Sequence, residues 1–313
     1  MLRNRLISGF SLAGLVMVML IGDAVLSHDL EAPLLGISAP VVTWLRQGLF
    51  PTILVLTLTA LLTSELLRLA QLHGYRPLRF ESQFFALGLV LGPYLSYNLK
   101  ENGLFYDASW SGLWLSIALG YTFVMQAARR GTEGVMVNIA TTMFIIFYAG
   151  GLAGYLTKLR MEVGGSEGAV LLLYSMFVVK MTDVGAYFTG MLIGKNKFIP
   201  WLSPKKTWEG VIGGVLIAGL TSVALGSLAN HYGWLPAYET VGRSGWYLLA
   251  FGFVMAVFSI AGDLAGSLLK RDAEVKDSSR LIPGMGGVLD IFDSPLLAAP
   301  AAWFFWTRLA PLF

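Results

Sequence analysis

Nine apolar stretches recur along this chain, at roughly 6–26, 49–72, 83–99, 110–128, 135–157, 168–191, 210–230, 246–269 and 294–312. Each is close to the ~20 residues that an α-helix needs to cross the hydrocarbon core of a bilayer. No other feature restricts the fold so severely. In lipid every backbone polar group must be satisfied internally, so a crossing segment is either a helix or part of a closed barrel. The period-2 alternation of a barrel strand is weak here, and glycine and proline inside several stretches are tolerable in membrane helices. The expected fold is an all-α polytopic membrane protein of about nine transmembrane helices. The first stretch follows Arg3 and Arg5 in the manner of a signal peptide, but it exceeds the usual apolar length of such a peptide, about 7–15 residues.

Charge supports this class. Only 13% of the 313 residues are charged and the mean hydropathy is +0.67. A soluble chain carries about 25% charged residues, needed to cover its core. A soluble enzyme, a disordered chain and a DNA-binding domain are thereby excluded. The net charge of +3 is a small excess and argues against a nucleic-acid partner. Cysteine is absent, which removes disulfides, thiolate metal sites and a cysteine nucleophile. Lysine and arginine divide unevenly between alternate loops, 15 against 6, with Lys180 left inside a span. The minority side holds Arg46, Lys100, Lys158, Arg160, Arg243 and Arg308. The positive-inside rule then places the N-terminus in the cytoplasm and the C-terminus outside. Trp110, Trp114, Trp246, Trp303 and Trp306 fall near span ends, as interface anchors do.

The remaining charge gathers late in the chain. From Asp263 to Asp293 there are five Asp, one Glu and four Lys or Arg in 31 residues. Ionisable groups at membrane depth are costly, and so are paired, solvated in a cavity or functional. Asp263, Ser267 and Lys270 share one helix face, and Gly262, Ala265 and Gly266 leave room for a neighbouring helix or a ligand. Residues 283–294 read Pro-Gly-Met-Gly-Gly-Val-Leu-Asp-Ile-Phe-Asp-Ser. The glycines suit a loop whose amides approach an anion, and Asp290 and Asp293 lie three apart on one helix face. Such carboxylates repel unless a cation lies between them, or else they cap the helix that follows. With no cysteine or histidine nearby, the matching ion is hard and oxygen-loving, Mg²⁺ before zinc. Ser203, Lys205, Lys206 and Thr207 form a second polar cluster, in which Pro204 starts a turn or helix. Lys180 and Asp183 lie within a span, and Glu65 is expected to pair with Arg68 on its own helix. A cytoplasm-facing polar cavity of this composition suits phosphoryl or nucleotidyl transfer to a lipid phosphate, which is already an anion and needs no strong general base.

Three segments then carry a resemblance. Ser267-Leu-Leu-Lys-Arg-Asp-Ala-Glu-Val-Lys-Asp277, followed by Gly286-Gly287 and Asp290-Ile-Phe-Asp293, is similar to the signature of the phosphatidate cytidylyltransferase (CDP-diacylglycerol synthase) family. Thr182-Asp-Val-Gly-Ala-Tyr-Phe188 and Ser203-Pro-Lys-Lys-Thr-Trp-Glu-Gly210 look like that family as well. Met285 and Ile291 stand where the family usually has His and Arg, and Met191 where Arg is frequent. Residues 1–170 match in hydropathy alone.

The resemblance implies that CTP and phosphatidate react to give CDP-diacylglycerol and pyrophosphate. It implies a metal centre of Asp263, Asp290 and Asp293, with Mg²⁺ as the working ion and a monovalent cation such as K⁺ beside it. Lys270, Arg271 and Lys276 would bind phosphates and Asp277 would support them. Ser203, Lys205, Lys206, Thr207 and the loop glycines Gly286 and Gly287 would engage CTP, and Asp183 would line the cavity. Residues 1–167 would then be the N-terminal helices, about five, and 168–313 the catalytic region. The partners are the two substrates and membrane lipid, with a homodimer left open. Two other readings remain: a CTP-dependent lipid-alcohol kinase or CDP-archaeol-type synthase, and a transporter. The run from Lys270 to Asp277 favours the synthase, and charges gathered at one mouth speak against a transport path.

Overall fold

The computed structural model describes residues 2–28, 47–99, 109–236 and 245–310. Helices account for nearly all of them, and each of the nine apolar stretches lies on one. In chain order these are α1 (Leu2–His28), α2 (Leu49–Leu72), α3 (Arg79–Asn98), α4 (Ser109–Arg130), α5 (Val135–Val163), α6 (Gly165–Ile193), α7 (Trp208–His231), α8 (Gly245–Asp272) and α9 (Leu289–Phe304). Wide π turns interrupt α5 at Ile146–Gly151 and extend α9 over Phe305–Leu309. Among the described residues five helices are long and apolar enough to cross a membrane: α2, α5, α6, α7 and α8.

One correction concerns secondary structure. Pro204 does not start a helix. Lys197–Ile199 (β1) and Ser203–Thr207 (β2) form an antiparallel hairpin between α6 and α7. A two-stranded ribbon exposes both edges, which is where a strand tolerates proline. Glu209 pins the hairpin to the start of α7, accepting from the amides of Lys195 and Asn196 and, at 2.7 Å, from the Asn196 side chain.

Small residues set the helix spacing. A Cβ added at Gly210 or Gly214 of α7 would stand 2.8 Å from the carbonyl oxygens of Ala186 and Thr182 on α6. On α8, a Cβ at Gly266 would meet the Asp293 carboxylate at 2.6 Å, and one at Gly262 would strike the Asp293 carbonyl. The small-residue stripe read from the sequence is therefore the seat of α9, which carries Asp293 against α8.

Buried charge departs from expectation. Arg160 is not a loop cation. It is buried on α5, where its Nε donates to Asp23 of α1 at 2.6 Å and its guanidinium also reaches Ser27. It therefore drops out of the orientation count, while Arg46, Lys100 and Arg243 lie outside the described residues. Trp306 is not an interface anchor either: it is fully buried among Tyr174, Tyr247 and Phe251. Trp303 remains at a helix end, with Lys158 and Arg308 over its ring.

Candidate active site

The hairpin, α6 and α8 enclose a cavity of about 360 Å³. Asp183 and Thr182 line it from α6, Lys205, Lys206 and Thr207 from β2, and Asp263 from α8. The geometry follows from local folding. Thr207 caps α7, its hydroxyl accepting from the Gly210 amide at 3.2 Å, so the strand ends at a fixed angle to the helix. That places the Lys206 ammonium 2.5 Å from Asp263 Oδ2. Ser259, one turn before Asp263, donates to Asp183 at 3.3 Å, and Lys180 lies 3.4 Å from the same carboxylate. Residues of three separate segments, 182–188, 203–210 and the late part of α8, thus meet at one cavity.

The rest of the expected constellation is arranged differently. Asp290 is occupied on both oxygens: Lys270 donates to Oδ1 at 2.6 Å, and the amides of Ser278 and Gly287 donate to Oδ2 at 2.9 Å. These donors meet the charge of the carboxylate from both sides. Asp293, nearly buried, accepts from its neighbour Ser294 at 2.7 Å. Among the described residues no group of three or more acidic or histidine side chains is disposed to hold an ion. Each of the three carboxylates is engaged within the chain: Asp263 by Lys206, Asp290 by Lys270 and the loop amides, and Asp293 by Ser294. Asp290 organises the loop that precedes α9.

Glu65 is the residue that sequence reasoning misjudged. It does not turn to Arg68 but inward, where it is 6% exposed. Its carboxylate accepts from the hydroxyls of Ser278 and Ser279, at 2.8 and 2.7 Å, and from the amides of Val288 and Leu289, both at 2.9 Å. The glycine loop does bring its amides to anions, but those anions are the chain's own. Gly287 serves Asp290, Gly286 turns back to Ile282, and the two residues that follow serve Glu65. Gly286 has φ +101, a conformation that side chains disfavour, and a Cβ there would meet Asp290 at 2.5 Å. An acidic residue late in an otherwise apolar helix was the available signal for Glu65. Hydrogen bonds to a charged group contribute about 1.5–3 kcal/mol each. Glu65→Gln places an NH₂ among donors, and is expected to lower stability by about 3 kcal/mol or more and turnover at least tenfold. Thermal unfolding in detergent and an activity assay check both; an unchanged unfolding midpoint would refute the anchoring role.

Other candidates stand apart. Arg271 donates to the Val275 carbonyl at 3.3 Å, and Lys276 and Asp277 are exposed. Among the described residues Asp277 has no ion pair. Ser203 is half-buried on β2 outside the cavity lining. Met285 packs its sulfur toward Gly9 of α1, and a cation reaches Ile291 from elsewhere: Lys180 donates to its carbonyl at 2.7 Å.

Comparison with known proteins decides the family. Residues 32–309 match the profile of the Cytidylyltransferase family. The chain belongs to this family. It is 33% identical over 242 residues to a phosphatidate cytidylyltransferase of Haemophilus influenzae, covering 72% of this chain and 79% of that protein. It is 31% identical over 209 residues to one of Mycobacterium bovis, covering 64% of each. With one of Staphylococcus saprophyticus it shares 33% over 184 residues, 59% of this chain and 65% of that protein. The chain thus spans just under two thirds of the latter two relatives. The family match extends through α2 and α3, where the sequence alone offered hydropathy and nothing more.

Proposed function

We propose that this cytidylyltransferase joins CTP to phosphatidate, giving CDP-diacylglycerol and pyrophosphate. The observation that carries this reading is the meeting of Asp183, Lys205, Lys206, Thr207 and Asp263 around one cavity. An oxygen of the phosphatidate phosphate attacks the α-phosphorus of CTP. The bond from that phosphorus to the bridging oxygen breaks, and pyrophosphate leaves. The attacking group is already an anion, so the chain has no proton to remove.

Lys205 and Lys206 present ammonium groups to the triphosphate, and Asp263 holds Lys206 in position between substrates. Lys270 is held by Asp290 at the end of α8 and would meet a substrate phosphate from there. Glu65 and Asp290 keep the 278–289 segment in one conformation. Mg²⁺ takes one or two carboxylates together with substrate phosphates, and Asp263 and Asp293 suit that donor set. Bound there, the ion would neutralise phosphate charge and leave Asp290 as a positioning carboxylate. A monovalent cation such as K⁺ is the second ion of this reading.

All nine helices cross the membrane in this account, with the N-terminus cytoplasmic and the cavity opening to the cytoplasm. The exposed apolar faces meet lipid or, in a homodimer, a second copy. Purified protein with Mg²⁺, phosphatidate and CTP should release pyrophosphate in proportion to lipid product. Release of CDP with a phosphorylated alcohol would establish the kinase reading instead.

A further inference from the structure

A second cluster of charge lies outside this site. The turn between α2 and α3, the start of α3 and the end of α4 form a groove lined by Arg76, Arg79, Arg129 and Arg130, of about 690 Å³. The four guanidinium groups face two carboxylates. Arg76 pairs with Glu133 at 3.3 Å, and Arg129 with the buried Glu81 at 3.0 Å. Arg79 and Arg130 meet only neutral oxygens, the amide of Gln71 at 2.6 Å and the carbonyl of Arg76. Among the described residues neither has a carboxylate within ion-pair distance. The groove therefore carries uncompensated positive charge, held in place by a turn rather than by a floppy tail.

Immediately beside it lies a space of opposite character. Leu66, Leu69, Phe144, Ile145 and Leu269 line an apolar pocket of about 280 Å³ between α2, α5 and α8. Asp272 lines it too, with His73 Nδ1 3.0 Å from its backbone carbonyl oxygen. Tyr75 lines both the pocket and the arginine groove, so the two adjoin. Leu72 and Phe80, flanking the turn, are 54% and 63% exposed. Neither space shares a lining residue with the cavity of the candidate active site.

A cationic groove opening onto an apolar pocket matches an amphiphile with an anionic head. We propose that this is a binding site for an anionic glycerophospholipid, separate from the reaction cavity. Arg79 and Arg130 take the phosphate, and part of one acyl chain enters the pocket below Tyr75. Guanidinium groups recognise phosphate oxygens in pairs, and basic pockets between membrane helices hold anionic headgroups by this means. A zwitterionic headgroup gains less here, since its own cation is repelled by the same arginines.

The test is a binding measurement and does not depend on the reaction. The full chain is placed in nanodiscs of equal phosphatidylglycerol and phosphatidylcholine, and the lipids it retains on release are counted by native mass spectrometry. The wild type should retain one phosphatidylglycerol in preference to phosphatidylcholine by about tenfold or more. Arg79→Gln with Arg130→Gln should abolish the preference while the unfolding midpoint stays in place. If the double variant unfolds, the single variants decide, each expected to lose several-fold of the preference. Equal retention of the two lipids by the wild type, or an unchanged preference in the folded variants, overturns the proposal. Displacement of phosphatidylglycerol by millimolar inorganic phosphate also overturns it, because the site would then recognise free phosphate and not a lipid. Failure of the pyrophosphate assay would leave this result standing, and the converse also holds.

Discussion

Asp263→Asn is expected to reduce pyrophosphate release by about 10³-fold or more while shifting the unfolding midpoint little. Asp263 lines the cavity together with Asp183, and its side chain is 38% exposed. It balances Lys206 and, in the proposed reaction, holds a cation against the phosphates of CTP. Asparagine keeps the shape and loses the charge. The contact of α8 with α9 runs through Gly262 and Gly266, so packing is untouched. Loss of charge stabilisation in the transition state commonly costs several kcal/mol, and about 4 kcal/mol corresponds to 10³ in rate. Turnover within tenfold of wild type would remove Asp263 from the chemistry. Lys206→Gln makes a useful comparison: it should raise KM for CTP more than it lowers kcat, because Lys206 meets the triphosphate in the ground state as well as the transition state.

The largest effect on stability is expected at Arg160. Arg160→Met leaves Asp23 fully buried without its guanidinium partner, the Gly48 amide still donating to it at 3.1 Å. Breaking a buried pair from one side costs about 3–5 kcal/mol, because an uncompensated charge stays in the interior. The unfolding midpoint in detergent should fall accordingly. Removing both charges, with Asp23→Leu and Arg160→Met, should recover most of the loss, since an apolar pair fits the interior that the ion pair occupied. If both variants are equally unstable, packing and not charge governs the α1–α5 contact.

These two positions also mark where sequence reading works and where it stops. Helix positions were legible, because a run such as Leu49–Leu72 declares itself through length and apolarity. The segments around Asp183, Lys206 and Asp263 were legible as motifs, and they converge on one cavity. Long-range partners were not legible. Asp23 and Arg160 are 137 residues apart, and Glu65 meets Val288 across 223. No local spacing encodes such a pair, so Arg160 read as a loop cation and Glu65 as half of an ion pair on its own helix. The hairpin escaped notice for a different reason. Ser203–Thr207 is a short polar strand containing proline, with none of the alternation that announces strands. Asp290 shows a subtler limit. Its spacing from Asp293 said nothing of the glycine-loop amides and Lys270 that also engage it.

The central claim is that the α-phosphate of CTP passes to a lipid phosphate. The most direct measurement follows label from CTP carrying ³²P at the α- or the γ-position, in detergent micelles containing phosphatidate. The account expects α-label in the organic extract, γ-label in aqueous pyrophosphate, and neither transfer in Asp263→Asn. Recovery of γ-label in the lipid fraction, with α-label left in CDP, would contradict it.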